Sequence, residues 1–214
     1  MRIDDFKQYS DTLRTRNGEP VTLRFLEPGD AEELQNYFRS LSTRSRYNRF
    51  LGAMSELPRN VLDHFIRVGE RDAFSVVATA KINGFEVIIG EARYALHPES
   101  DSVEFGISID DRWQGQGLGA ALMKNMECRA AALGALRLFG DTLRSNEVML
   151  KLARKSGHAI ASNPDDWKLV RFEKRIDIAP KDIPCASWRL ATASRQLAAS
   201  IPGRLRIRRH SPAS

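Results

Sequence analysis

Cysteine is nearly absent from this 214-residue chain. Cys128 and Cys185 are the only two, they stand far apart, and they form no metal or redox motif. A disulfide scaffold is therefore excluded, no metal is expected, and a reducing cytoplasm is the expected home. Long hydrophobic runs are missing as well. The longest are short, as in Val87-Ile88-Ile89, so no segment reads as a membrane span. The opening Met1-Arg2-Ile3-Asp4-Asp5 lacks the apolar core of a secretion signal. There is no internal repeat and no long low-complexity stretch. Acid is absent from the C-terminal segment. From Ile183 onward the chain carries Arg189, Arg195, Arg204, Arg206, Arg208 and Arg209 and no Asp or Glu. Without those six arginines the remainder holds 27 basic and 27 acidic residues, so the net charge of +6 belongs to the tail. Trp188, Leu190, Ala193, Leu197 and Ile201 recur at helical spacing ahead of Pro202-Gly203. A basic amphipathic helix can meet a membrane surface or nucleic acid. A partly disordered solubilising tail is the plainer reading.

A hydrophobic content of 42% suffices for the core of one domain. The most informative segment is Gln114-Gly115-Gln116-Gly117-Leu118-Gly119, set between a strand-like run, Val103 to Ile109, and a helix-like run, Ala120 to Leu133. A glycine-rich turn feeding a helix leaves backbone N–H groups uncovered at the positive end of the helix dipole, a seat for phosphate. A P-loop would need Gly-Lys-Ser/Thr, and Ala120-Ala121 follows Gly119 instead. The dinucleotide fingerprint is formally met by Gly115, Gly117 and Ala120, with Asp141 about twenty residues on. The acyl-CoA loop, Gln/Arg-x-x-Gly-x-Gly/Ala, is met by Gln114, Gly117 and Gly119.

The lead-in separates the two. Phe74 to Ile82 is strand-like and ends at the hairpin signal Asn83-Gly84. A second strand runs from Phe85 to about Leu96, the turn His97 to Asp101 follows, and a third strand, Ser102 to Ile109, enters the glycine loop. Strands joined by short turns are antiparallel neighbours, whereas a dinucleotide fold places its loop after the first strand of a parallel series. Elsewhere, residues 1–19 show no period and read as a lead-in. Val21 to Leu26 reads as a strand, and Asp30 as the N-cap of a helix from Ala31 to about Arg39. A helix is expected from Leu57-Pro58 to Val68, a strand over Leu136 to Thr142, a helix over Asn146 to Lys155 and a last strand over Lys168 to Ile176. The sum is a mixed, largely antiparallel α/β sheet flanked by helices.

The run from Val103 to Gly119, with Asn146, Met149, Leu150, Leu152 and Lys155-Ser156-Gly157 downstream, resembles the GNAT superfamily of acyl-CoA-dependent N-acyltransferases. The resemblance spans residues 20–177, which leaves 178–214 as a basic tail. A narrower likeness, Leu41-Ser42-Thr43-Arg44-Ser45-Arg46-Tyr47-Asn48-Arg49-Phe50, is to the acetyltransferase domain of bacterial protein lysine acetyltransferases. These likenesses imply acetyl-CoA as acyl donor, held by the backbone of Gln114, Gly115, Gln116, Gly117, Leu118 and Gly119, by the exposed backbone of Ile107, Ser108 and Ile109, and by Asn146. They imply transfer to a primary amine, a protein lysine or a small molecule. A non-catalytic acyl-CoA sensor is the contrasting class.

Along the third strand, side chains alternate. Val103, Phe105, Ile107 and Ile109 share the core face; Glu104, Gly106 and Ser108 share the other. Glu104 is the candidate general base, directly or through water, and the family likeness supports a glutamate on this strand. Its plainer role is a surface ion pair with an arginine such as Arg93. Asn146 either meets the cofactor or caps its helix. Where many family members carry a tyrosine as general acid, this chain has Ala153, with Ser156 or Tyr94 as possible replacements. His97 is a candidate proton relay or a solvated turn residue. Arg46, Tyr47 and Arg49 are candidates to line the acceptor groove, and Arg112 to meet a cofactor phosphate.

Overall fold

The computed structural model describes residues 10–67 and 73–179, with residues 182 and 196. Eight strands form one sheet in the order β1-β2-β3-β4-β5-β6-β8-β7. They are β1 (Ser10–Arg14), β2 (Pro20–Phe25), β3 (Ala73–Ile82), β4 (Phe85–His97), β5 (Ser102–Ile109), β6 (Arg137–Leu143), β7 (Ala159–Ser162) and β8 (Leu169–Arg175). The helices are α1 (Ala31–Ser40), α2 (Thr43–Phe50), α3 (Arg59–Ile66), α4 (Leu118–Ala132) and α5 (Glu147–Lys155). Every neighbouring pair is antiparallel except β5 and β6. The expected mixed, largely antiparallel sheet is therefore present, and the helix α4 makes its one parallel crossover. None of the described helices is long and apolar enough to cross a membrane. The basic helix expected around residues 188–201 lies outside the described residues.

The two faces of the sheet are covered separately. Toward α4, Phe74, Val76 and Ala78 of β3, Tyr94 of β4 and Val103 and Phe105 of β5 pack with Leu122 and Met126. Toward α1 and α3, Val77 and Ile88 meet Leu34, Tyr37, Phe38 and Phe65. A charge is sealed into the first layer. Arg129 of α4 is 0% exposed and lies 5.3 Å from the Phe25 ring centroid and 5.5 Å from that of Tyr94. Its guanidinium donates to Asn125 Oδ1 and, at 3.3 Å, to the Tyr94 hydroxyl. Asn125 in turn donates to Asp11 at 3.0 Å. A buried cation needs hydrogen-bonded compensation; the Asp11 carboxylate of β1 reaches it through Asn125, and Nη2 has no partner among the described residues.

That strand lies inside the stretch read from the sequence as an aperiodic lead-in. Its alternation is hidden because the buried position is Asp11 rather than an apolar residue. The helix α2 also departs from expectation: its eight residues include no buried side chain, so no apolar stripe announces it. Ser42 starts it by accepting from Ser45 N–H at 3.2 Å. Asp30 holds the N-cap position of α1, as expected, but its side chain makes no capping bond; the carboxylate turns back to Arg24 at 2.7 and 2.9 Å and to Glu27 N–H at 2.7 Å. The short edge strand β7 is a further addition.

The feature that positions the site is a fork. β5 and β6 pair only over Ser102↔Arg137, Val103↔Leu138 and Glu104↔Phe139. Beyond Glu104, β5 continues to Ile109 against β4 alone, and β6 continues to Leu143 against β8 alone. Gly140 stands where they part. A Cβ there would lie 2.5 Å from the Phe105 carbonyl oxygen and 2.5 Å from the Phe172 ring, and Phe172 meets Phe105 edge-on with centroids 5.5 Å apart. The Phe172 ring thus crosses the bare backbone of β6 and fills the fork. Gly140→Ala should overpack this point and cost about 1–3 kcal/mol, lowering Tm by several degrees; a variant melting with the wild type would show that the fork tolerates a side chain.

His158 is 6% exposed and neither ring nitrogen has a hydrogen-bond partner among the described residues. It sits between Phe105 and Phe172, at 6.2 and 5.7 Å. Burial, then the charge of Lys174, hold its pKa below the ordinary histidine value. The folded chain thus keeps it neutral where the unfolded chain takes up a proton, near pH 6.5. More protons on the unfolded state means stability lost as pH falls below that value and towards the lower folded pKa. Denaturant midpoints at pH 7.5 and 5.5 should differ more for the wild type than for His158→Leu; equal differences would exclude this histidine as the source.

Candidate active site

The fork opens into a cleft of about 920 Å³ lined by β5, the glycine loop, α2 and α5. At one end Asp110, 2% exposed, closes β5. It accepts from Arg112 N–H at 2.9 Å and from the guanidinium at 3.0 and 2.7 Å. Burial alone would raise the Asp110 carboxyl; the bonds and charge of Arg112 outweigh it and hold the pKa below the ordinary value. Arg112 therefore gives Nε and Nη2 to Asp110. Asp111 accepts from Ser42 N–H at 2.8 Å and from the hydroxyls of Ser42 and Ser45 at 2.9 and 2.8 Å. The start of α2 is thereby bonded to the start of the loop.

The loop then turns through Gly115 and Gly117, at φ +74° and +91°, a region closed to most side chains. Gly117 is the N-cap of α4, so the N–H groups of Leu118, Gly119 and Ala120 have no carbonyl to meet within the helix. Gln114, Gly115, Gly117 and Gly119 line the cleft. The Gln114 amide donates to the Ile109 carbonyl at 3.0 Å. The side chains of Gln116 and Leu118 turn elsewhere: Gln116 donates to the Arg112 carbonyl at 3.0 Å, and Leu118 is core, 1% exposed. Only their backbone is left to face an anion.

Midway along the cleft, Ile107, Ser108 and Ile109 present a strand edge with no partner strand. Asn146, Met149 and Leu152 face it from α5. Asn146 caps that helix, accepting from Met149 N–H at 3.3 Å and donating to Thr142 at 3.0 Å; it lines the cleft with its amide already engaged. An extended chain with amide groups can add to the open edge of β5, and a phosphorylated end can seat on the first turn of α4. The residues present fit an acyl-CoA donor.

At the far end lies the face shared by Glu104, Gly106 and Ser108. Glu91 of β4, 2% exposed, takes both Arg49 Nε and Nη2 at 2.9 Å. Burial opposes the charge on Arg49, and the nearby Glu91 carboxylate overcomes it. The guanidinium lies over Gly106, where a Cβ would come within 2.8 Å of Nη1. Ser108 shares its hydroxyl with Tyr37 at 2.8 Å and reaches Glu91 at 3.4 Å; burial pushes the Tyr37 hydroxyl well up, so it stays protonated. Glu104 is about half exposed, 48%, with His97 Nε2 at 3.2 Å from its carboxylate. Arg93, weighed above as its partner, instead donates to Ser75 and to the His64 carbonyl. Of the α2 candidates Arg49 lines the cleft, whereas Arg46 donates to the carbonyls of Arg39 and Leu41 at 3.0 and 2.7 Å and Tyr47 is not among the lining residues. Ala153 is fully buried. Tyr94 has its hydroxyl in the core on Arg129, which leaves Ser156 as the hydroxyl lining the cleft from α5. Among the described residues no group of three or more His, Cys, Asp or Glu is arranged for a metal.

Tyr37, Glu91 and Arg16, the last lining the cleft from the turn after β1, were not anticipated. Glu91 sits in a strand whose surroundings are apolar, and its partner is 42 residues away in sequence; nothing local marks it.

Comparison with known proteins agrees with this geometry. Residues 35–158 match the Acetyltransferase (GNAT) family. The acetyltransferase PA5475 of Pseudomonas aeruginosa is 29% identical over 150 residues, 70% of this chain and 81% of that protein. The acetyltransferase Pat of Mycolicibacterium smegmatis is 28% identical over 171 residues; that covers 79% of this chain and 49% of Pat, so the chain spans about half the length of that relative. The GNAT domain of PAT from S. lividans superposes with a TM-score of 0.70 at 23% identity, covering 78% of this chain and 97% of that one. With loop, fork and family match in agreement, the chain belongs to the GNAT family of acetyl-CoA-dependent N-acetyltransferases.

Proposed function

We propose that this chain transfers an acetyl group from acetyl-CoA to the side-chain amine of a lysine on another protein, with Glu104 as general base. The observation that carries the reading is the place of Glu104. It is the last residue of β5 still paired with β6, so its side chain stands beside the point where the strand edge opens, next to Gly106 and half exposed at the cleft. A base so exposed is reachable by a lysine that remains attached to a protein surface. A small amine would gain from an enclosing pocket, and the cleft here is open.

Chemically, the amine must lose a proton as its nitrogen attacks the thioester carbonyl. A lysine ammonium is a far weaker acid than a carboxylic acid, so one proton leaves to solvent before the neutral amine attacks, and Glu104, directly or through one water, takes the second as the C–N bond forms and the thiolate departs. Backbone N–H groups on the open edge of β5 donate, in this reading, to the carbonyl oxygen as it gains charge. His97 holds one carboxylate oxygen of Glu104 and so fixes its direction. No side chain is committed to the departing thiolate; Ser156 and solvent are what the cleft offers.

CoA release from acetyl-CoA, followed with lysine peptides, protein acceptors and small amines, tests the reading. Glu104→Gln should lower kcat by about 10²–10⁴-fold while acetyl-CoA affinity stays near the wild-type value. Unchanged turnover would remove Glu104 as the base. Turnover confined to small amines would move the acceptor class, and acetyl-CoA binding without turnover on any acceptor would favour a sensor.

A further inference from the structure

The hairpin between β1 and β2 has a feature that the reading above leaves unused. Its turn is exposed from Arg16 to Pro20, yet one backbone bond ties it to the glycine loop. The Arg16 N–H donates to the Gln116 carbonyl at 2.8 Å. The turn itself is held by Thr15 N–H to the Glu19 carbonyl and Gly18 N–H to the Thr15 carbonyl, both at 3.0 Å, and by Arg14 on the Gly18 carbonyl at 2.9 Å. This clamp aims the Arg16 side chain across the loop. A Cβ placed on Gly117 would lie 3.4 Å from Arg16 Cγ and 3.6 Å from Nε. Arg16 also lines the cleft with Gly115, Gly117 and Gly119. Among the described residues its guanidinium has no carboxylate or carbonyl partner, unlike Arg14, Arg24, Arg49 and Arg112, whose guanidinium groups are all engaged.

We infer that Arg16 is a binding residue for the diphosphate of the acyl-CoA donor, delivered by the N-terminal hairpin to the side of the anion that the α4 backbone does not cover. The inference rests on the acyl-CoA reading of the cleft. The first turn of α4 supplies N–H groups from below; a diphosphate has more oxygens than one helix end can satisfy. A planar guanidinium meets phosphoryl oxygens with paired, charge-assisted hydrogen bonds. Its position over Gly117, the N-cap of α4, places that fork beside the same oxygens and not at the acceptor end. An aliphatic stem lying along Gly117 also explains why that glycine is bounded on its open side.

The experiment is a set of equilibrium binding measurements by calorimetry on the full chain, with wild type, Arg16→Ala and Arg16→Lys. The ligands are CoA, dephospho-CoA, which lacks only the 3′-phosphate, and pantetheine, which lacks every phosphate. Arg16→Ala keeps the backbone bond to Gln116. It should bind CoA and dephospho-CoA about tenfold to a hundredfold more weakly than wild type and bind pantetheine equally, with Arg16→Lys in between and Tm unchanged. Equal CoA affinity in wild type and Arg16→Ala would overturn the inference. So would an equal loss on pantetheine, which would mean that Arg16 only props the loop, or a loss seen with CoA but not with dephospho-CoA, which would move it to the 3′-phosphate. Failure of wild type to bind CoA at all would sink the acyl-CoA reading itself.

Discussion

The site exists because β5 has more backbone than its neighbour will pair. After Glu104 one edge of the strand loses its hydrogen-bonding partner, and unpaired backbone inside a folded domain must be satisfied by something. In this chain the cost is localised where a donor substrate can meet it. The fork is maintained by packing: Phe172 needs the space that Gly140 leaves bare, and β6 is held away by full pairing with β8. The same fork sets the position of Glu104 and of the loop that follows Ile109. The open strand edge, the exposure of Glu104 and the place of the glycine loop are therefore consequences of a single departure from regular sheet.

What could be read from the sequence, and what could not, follows from the range of the forces involved. The meander was legible because Asn83-Gly84 and the turn after His97 are local chemistry, and both adopt the positive-φ residues such turns need. The glycine loop was legible for the same reason. The alternation on β5 also held, since Val103 and Phe105 are buried and Glu104 faces out. By contrast, β1 escaped notice because its inward residue is an aspartate serving an arginine more than a hundred residues away. The helix α2 escaped because Phe50 at its end is its one apolar anchor in the core, which makes no stripe; the rest is held by serines on Asp111 and by arginines. Polar long-range pairs leave no period in a sequence.

The acceptor face repeats that lesson at smaller scale. Arg49, Glu91, Ser108 and Tyr37 come from four elements and form one connected polar group over Gly106. Such a group is costly if any member is missing and rigid when complete. It therefore forms a fixed surface on this face of the strand, while Glu104 beside it remains accessible.

The order of strands has a practical meaning for anyone cutting this chain down. The family match covers residues 35–158, whereas β1 and β2 before it and β7 and β8 after it close opposite edges of the same sheet. A fragment trimmed to the match would strip β3 and β6 of their outer neighbours together. Two rows of bare amide and carbonyl groups would then face solvent, an invitation to self-association. The sequence segment that identifies the family is thus smaller than the unit that folds, and the difference lies in strands carrying none of the family's signature.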